Sequence, residues 1–298
     1  MPKKFFKVDL VPALKRLEIL AKGLASSKII GAYKSVFKGK GLEFSDYRGY
    51  TLEDDAALID WKASARTNEL LIRQYTEERE VNVFFLVDCS SRMLFGSTEK
   101  LKAEYNIELV ASLTHAILEA GDSVGLALYS DNVKAKILPS RGKTQFYEII
   151  KLLLNPSYYE GGGFDFQSAV KFIFNYLKET SVIIVVSDFL DWSDELEKSF
   201  ELLKTKFDIV CIMVRDPRDR ILPSGAGEIV IQDPKSGRTM LIEPELIKEA
   251  YENVVKEQEK NIRNTLSKEG VDFTDIQTDK PFIKPIINLF LKRATRWR

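Results

Sequence analysis

Histidine is almost missing from this chain, with His115 the single example in 298 residues. Ser-His-Asp and Cys-His catalysis and most zinc enzymes draw on that side chain, so those mechanisms have one candidate at most. His115 lies in EYNIELVASLTHAILEAG, where Ile107, Val110, Leu113 and Ile117 recur at helical spacing, and it reads as a residue of an amphipathic helix. Cysteine is nearly as scarce. Cys89 and Cys211 are far apart and form no CxxC, which excludes a cysteine zinc site and a disulfide scaffold and points to a reducing compartment, the cytoplasm. There is no excess of either charge: Lys plus Arg and Asp plus Glu both number 44, so no global field attracts nucleic acid. No apolar run is long enough to span a bilayer, and MPKKFFKVDLVPALKRLEIL lacks the apolar stretch of a signal peptide. The basic tail LKRATRWR reads as a helix end, with peripheral contact to acidic lipid as the alternative.

What the chain does contain, from about residue 81, is an alternation of short apolar runs with amphipathic stretches, the mark of a parallel sheet with covering helices. VNVFFLVD is the first strand. A helix over about 99–120 stops at Gly121; DSVGLALYS and NVKAKILP follow as strands that can pair across Ser130-Asp131-Asn132. Helices are expected over about Thr144–Leu154 and Asp165–Lys178, separated by Gly161, Gly162 and Gly163. SVIIVVSD is the most apolar strand and belongs at the sheet centre. SDELEKSFELLKT is a helix capped by Ser193, and FDIVCIMVRD the next strand. DPRDRILPSGAGEIVIQDPKSGRTM reads as loops and short extended pieces, ELIKEAYENVVKEQEKNIRNTLSKEG as a long helix, VDFTDIQTD as a last strand and PIINLFLKRA as a terminal helix.

In an open parallel sheet, ligands bind beyond the strands' carboxyl ends where the strand order reverses. If the first strand and VIIVVS are neighbours there, Asp88 and Asp188 face one another across a crevice. DCSSR at Asp88–Arg92, GGGFDF at Gly161–Phe166 and VSDFLD at Val186–Asp191 resemble the three loops of a von Willebrand factor A domain. The resemblance implies a mostly parallel, Rossmann-like α/β sheet with helices on both faces and a magnesium site held through oxygens. Asp88, Ser90 and Asp188 fit that site, but Arg92 stands at its second serine and Phe164 at its threonine. Two carboxylates in a crevice need a cation, and the hypothesis is that Arg92 supplies it, bridging Asp88 and Asp188 by forked hydrogen bonds without metal. The alternative is a weak magnesium on Asp88, Ser90 and Asp188, with Arg92 in solvent.

Residues 1–80 break the rhythm and are read as an N-terminal extension or small subdomain before an α/β domain over 81–298. An amphipathic helix over about Pro12–Leu24 leads into a segment of paired charges and aromatics. GKGLEFSDYRGYT, Asp54-Asp55, IDWKASAR at Ile59–Arg66 and LLIRQYTEERE, with RDP at Arg215–Pro217 and LPSGAG, resemble the prokaryotic domain-of-unknown-function family number fifty-eight. Tyr33, Glu53 and Ala57 depart from that family's usual histidine, glycine and arginine. The resemblance implies an adaptor or chaperone-like partner of a MoxR-type AAA+ ATPase, acting in assembly or activation of other proteins, with no catalytic residues. Arg48, Asp54, Asp55, Asp60, Lys62, Arg66, Arg73, Glu77 and Glu78 nearly balance around Trp61. They form either an internal ion-pair network or a partner-binding surface.

Two rival readings start from other residues. A magnesium-dependent adhesion module would grip a partner's acidic residue through the metal. Gly142-Lys143-Thr144 imitates the end of a phosphate-binding loop, but Ile137 occupies the leading glycine's position, which leaves too little loop for a nucleotide hydrolase. Cys89 and Cys211 read as buried small residues.

Overall fold

The computed structural model describes residues 10–24, 27–37, 44–51, 54–75, 81–160, 162–178, 181–233 and 236–296. Helices α1 (Leu10–Leu24) and α2 (Ser27–Phe37) precede a small hairpin of β1 (Phe44–Gly49) and β2 (Leu71–Tyr75), with α3 (Trp61–Thr67) between its strands. Then come β3 (Asn82–Asp88), α4 (Lys102–Glu119), β4 (Ser123–Tyr129), β5 (Val133–Ser140), α5 (Gly142–Leu153), α6 (Phe166–Tyr176) and β6 (Val182–Ser187). The chain continues through α7 (Asp194–Lys204), β7 (Asp208–Arg215), β8 (Ile229–Gln232), β9 (Thr239–Ile242), α8 (Pro244–Lys268), β10 (Asp272–Gln277) and α9 (Ile283–Arg296).

Six strands make one sheet in the order β10-β7-β6-β3-β4-β5. All neighbours are parallel except β4 and β5, which pair antiparallel across the Ser130–Asn132 turn. The α/β sheet expected from the sequence is therefore present. The apolar runs VNVFFLVD and SVIIVVSD are adjacent, Val83 opposite Val182 through Val87 opposite Val186. Both are buried on two faces, which is why they read as continuous apolar strings and not as alternation.

Successive side chains of β3 go to opposite layers, as the pleat requires. Val83, Phe85 and Val87 join a core with α1, α2, α4, α5 and α9, whereas Phe84 and Leu86 join a second core with α6, α7 and α8. Gly125, opposite Phe84 in the pairing of β3 with β4, has no room for a side chain; a Cβ there would lie 2.7 Å from both the Phe84 ring and the Pro139 nitrogen.

The N-terminal helices are part of this body. Leu17 and Ala21 of α1 and Ile29, Ala32 and Tyr33 of α2 are buried in the first core. The Tyr33 hydroxyl donates to Asp122 Oδ2 at 2.8 Å, and Asp122 Oδ1 accepts from the Val81 amide at 3.2 Å. The sequence shows the amphipathic stretch that became α1 but not α2. The terminal helix runs to Arg296, past its expected end, and Arg293 within it is drawn inside between Asp208 and Asp272. Trp297 and Arg298 lie outside the described residues.

Candidate functional site

The strand order reverses between β3 and β6; Asp88 ends β3 and Asp188 directly follows β6, both fully buried. Each is anchored locally. Asp88 accepts from the Ser90 amide at 2.9 Å and from Ser187 Oγ at 2.7 Å; Asp188 accepts from the Leu190 amide at 3.1 Å. The chain turns sharply just after Asp188, with Phe189 buried at φ 49, a left-handed conformation that non-glycine residues rarely hold without support. Arg215 gives that support from below: its guanidinium, wholly buried, donates to the Phe189 carbonyl and to Gln258 Oε1, both at 3.3 Å, while Gln258 Nε2 donates to the Leu190 carbonyl at 2.9 Å.

Arg92 sits on the short 3-10 turn Ser91–Leu94, its Cζ 4.6 Å from the centre of the Phe164 ring. The forked hydrogen bonds anticipated for it do not form. Its nearest nitrogen is 3.8 Å from Asp88 Oδ2 and 3.6 Å from Asp188 Oδ1, and its short contact, 2.8 Å, is with Asp191 Oδ2. The physical reason is that both buried carboxylates already hold closer donors. For Asp188 that donor is Lys102, which the sequence reading missed. Lys102 Nζ donates to Asp188 Oδ2 at 2.8 Å and to Asp219 Oδ2 at 3.0 Å, with a side chain 1% exposed. A lysine in the first turn of α4 is badly placed for the helix dipole, which favours anions there, so its position answers to the carboxylates.

The network extends past β7 through the RDP segment. Asp219 Oδ2 also accepts the Asp216 amide at 2.9 Å, and Asp216 in turn accepts from the Ser97 amide at 2.8 Å and from Ser97 Oγ. Opposite the metal-site likeness, Ser91 donates its amide to the Gly162 carbonyl at 3.2 Å, and Asp165 caps α6 by accepting from the Ser168 amide at 3.0 Å. Gly161 lies outside the described residues.

Charge balance separates the two central carboxylates. Burial, and the facing Asp188, push Asp88 above the ordinary carboxylate range. Burial would raise Asp188 too, but Lys102 and Arg92 outweigh it and hold that carboxyl below its ordinary value. Burial alone would likewise depress the Lys102 amine, yet Asp188 and Asp219 more than reverse this and keep it protonated. Ser90 Oγ is buried with no hydrogen-bond partner among the described residues.

The charged N-terminal residues form separate local structure. Arg48 pairs with Asp54, which also accepts from the Thr51 amide at 2.9 Å, and Asp55 accepts from the Ala57 amide at 2.9 Å. Asp60 caps α3 through the Lys62 and Ala63 amides and accepts the Tyr47 hydroxyl at 3.0 Å. Trp61 is 68% exposed, and Lys62 and Arg66 are exposed beside it. None of these bonds reaches Asp88 or Asp188. Glu77 and Glu78 lie outside the described residues.

The Ser187 hydroxyl that donates to Asp88 is fully buried. The Cys89 thiol is buried, and burial followed by the neighbouring Asp88 pushes it far above the range in which it ionises. At the other candidate, β5 ends at Ser140 and α5 begins at Gly142, leaving only Arg141 where a phosphate-wrapping loop would be. His115 packs edge-on against Phe146, on the α4 side of the sheet.

A family profile described as "Protein of unknown function DUF58" matches residues 46–261. The uncharacterized protein Rv1480 of Mycobacterium tuberculosis is 23% identical over 290 residues, covering 95% of this chain and 90% of that protein. The uncharacterized protein YeaD of Bacillus subtilis is 34% identical over 80 residues, 27% of this chain and 18% of its own length. Among solved structures, BatB from Bacteroides thetaiotaomicron aligns over 72% of this chain and 99% of its own, at 16% identity and TM-score 0.46. A von Willebrand factor type A protein from Catenulispora acidiphila aligns over 73% and 43%, at 10% identity and TM-score 0.38.

Proposed function

This chain belongs to the family of proteins of unknown function DUF58, and we propose that it is a non-enzymatic protein-binding module whose crevice is closed to metal by its own cations. The observation that carries this reading is Lys102, buried with its ammonium between Asp188 and Asp219. It occupies one oxygen of the aspartate that a metal would need, and Arg92 stands within 4 Å of both central carboxylates. Phe164, at the position of the expected threonine, gives Arg92 a ring face and offers no ligand oxygen. Magnesium demands near-ideal octahedral oxygen geometry, and this set of donors does not fit it. The cationic groups supply the compensation that paired buried carboxylates require.

A site whose carboxylates are held by buried cations, and whose hydroxyl on Asp88, that of Ser187, is fully buried, suits recognition, not bond making. The partner we propose, on the family resemblance, is a MoxR-type AAA+ ATPase together with its client, in the cytoplasm. Among the described residues no helix is long and apolar enough to cross a membrane. The test is co-elution of the purified chain with such an ATPase, with and without chelator. Capture that survives chelator supports the reading. One observation favours the magnesium-dependent alternative, the unpartnered Ser90 hydroxyl. A hexacoordinate manganese ion between Asp88 and Asp188 in soaked crystals, or capture abolished by chelator, would establish it instead.

A further inference from the structure

We propose that Arg92 is the docking group for an acidic side chain of the protein partner, and that Asp191 is an internal carboxylate that keeps its place. The inference rests on the metal-free binding reading above and identifies the chemistry that the crevice would recognise.

Arg92 has guanidinium donors to spare. Its side chain is 13% exposed and its Nε, NH1 and NH2 are all covered, yet none makes a hydrogen bond among the described residues. Three carboxylates surround it, and they are not equivalent. Asp88 and Asp188 are fully buried, and each of their oxygens already accepts a donor, from Ser90, Ser187, Leu190 or Lys102. Asp191 is 57% exposed, touches one nitrogen at 2.8 Å, and does so outside hydrogen-bonding geometry. The one short contact is therefore made by the least constrained group.

A guanidinium stacked on an aromatic ring keeps its edge for a planar, two-oxygen ligand, and carboxylate matches that fork. Exchange of Asp191 for a partner's aspartate or glutamate replaces one negative charge by one, so the balance with Asp88, Asp188 and Lys102 is unchanged. A phosphorylated side chain would bring a second negative charge toward Asp88 and Asp188, which argues against a phosphopeptide. The rim has the apolar character of an interaction surface: Phe95 is 43% exposed near Lys102, and Trp192 follows Asp191 with its ring against Phe189 and Phe200.

The experiment uses the full chain labelled with 15N at arginine. The Arg92 Nε–Hε signal is followed while acetyl-Gly-Asp-Gly amide, its Gly-Asn-Gly counterpart and a phosphoserine counterpart are titrated in turn. Asp191→Asn is the informative variant, since its exposure leaves the fold intact. An exposed ion pair is worth about 1 kcal/mol, so the variant should half-saturate with the aspartyl peptide at about fivefold lower concentration than the wild type. The asparaginyl peptide should leave the signal unmoved, and Arg92→Lys, which keeps the charge but not the fork, should weaken binding. Equal half-saturation in wild type and Asp191→Asn would overturn the proposal, as would an equal response to the asparaginyl peptide. Preference for the phosphoserine peptide would reassign the site to phosphopeptides and also overturn it. Capture of the ATPase abolished by chelator would instead sink the metal-free reading, whatever the peptides do; capture that survives with inert peptides would sink only this assignment.

Discussion

Replacement of Lys102 by methionine isolates the charge that holds the crevice together. Methionine has nearly the length and volume of the lysine stem, so packing around Phe95 is kept and the loss is electrostatic. Lys102 is 1% exposed and Asp188 fully buried, so the variant leaves Asp188 and Asp219 without their shared cation. Breaking a buried pair by removing one partner costs about 3–5 kcal/mol. At roughly 2–4 °C per kcal/mol for a domain of this size, the melting temperature should fall by about 10 °C. The pH dependence carries the sharper test. In the wild type Asp188 titrates below its unfolded value, so its contribution is present at neutral pH and is lost as pH falls through the folded pKa. Without Lys102, burial dominates and the carboxyl titrates above its unfolded value. The penalty is then present at neutral pH and is relieved by protonation as the medium becomes acidic. The gap between wild type and Lys102→Met should therefore be widest near neutrality and narrow steadily toward pH ~4, read by differential scanning calorimetry. A fall of less than about 3 °C at pH 7, or a gap that does not change with pH, would refute the buried-cation account.

Three further outcomes follow from the same geometry. Tyr33→Phe removes the hydroxyl that Asp122 accepts and should cost about 1–3 kcal/mol in urea unfolding, since Asp122 is fully buried. Gly162→Ala should destabilise by about 1–3 kcal/mol, because a Cβ there runs into the Ser130 side chain and must push apart the loops flanking the crevice; calorimetry reads it. Cys89 and Cys211 are buried with their thiols pushed up by desolvation, so an aromatic disulfide reagent should modify neither in the native protein at pH 8 and both in denaturant.

The sheet and the two facing aspartates were legible because their signal is local. An apolar run that ends in aspartate identifies both the strand and the position of the carboxylate at its end. Lys102 was not legible, since a lysine at the start of an amphipathic helix looks the same whether solvent or an aspartate 86 residues away receives it. The remaining hint, a cation where the helix dipole disfavours one, is weak. Asp219 and Arg215 were hidden for a related reason: RDPRD reads as a polar turn, and only the packing of β7 beside β6 carries it under the crevice. Helix α2 escaped notice because Ser27, Gly31 and Ser35 interrupt its apolar positions, although Ile29, Ala32 and Tyr33 are buried. In the charged segment, Arg48 and Asp54 pair with one another, while Trp61 stands exposed.

The packing of α2 against α9 sets an order of events for folding. Tyr33 meets Phe290 edge-on at 5.9 Å, so the layer built from α1, α2, α4, α5 and α9 joins helices some 250 residues apart in sequence. During synthesis α1 and α2 emerge before α4 and α9, so their apolar faces wait for those helices. Contacts of such long sequence separation slow folding and leave apolar surface open in the interval. The nascent chain should therefore depend on holding factors until α9 has emerged from the ribosome.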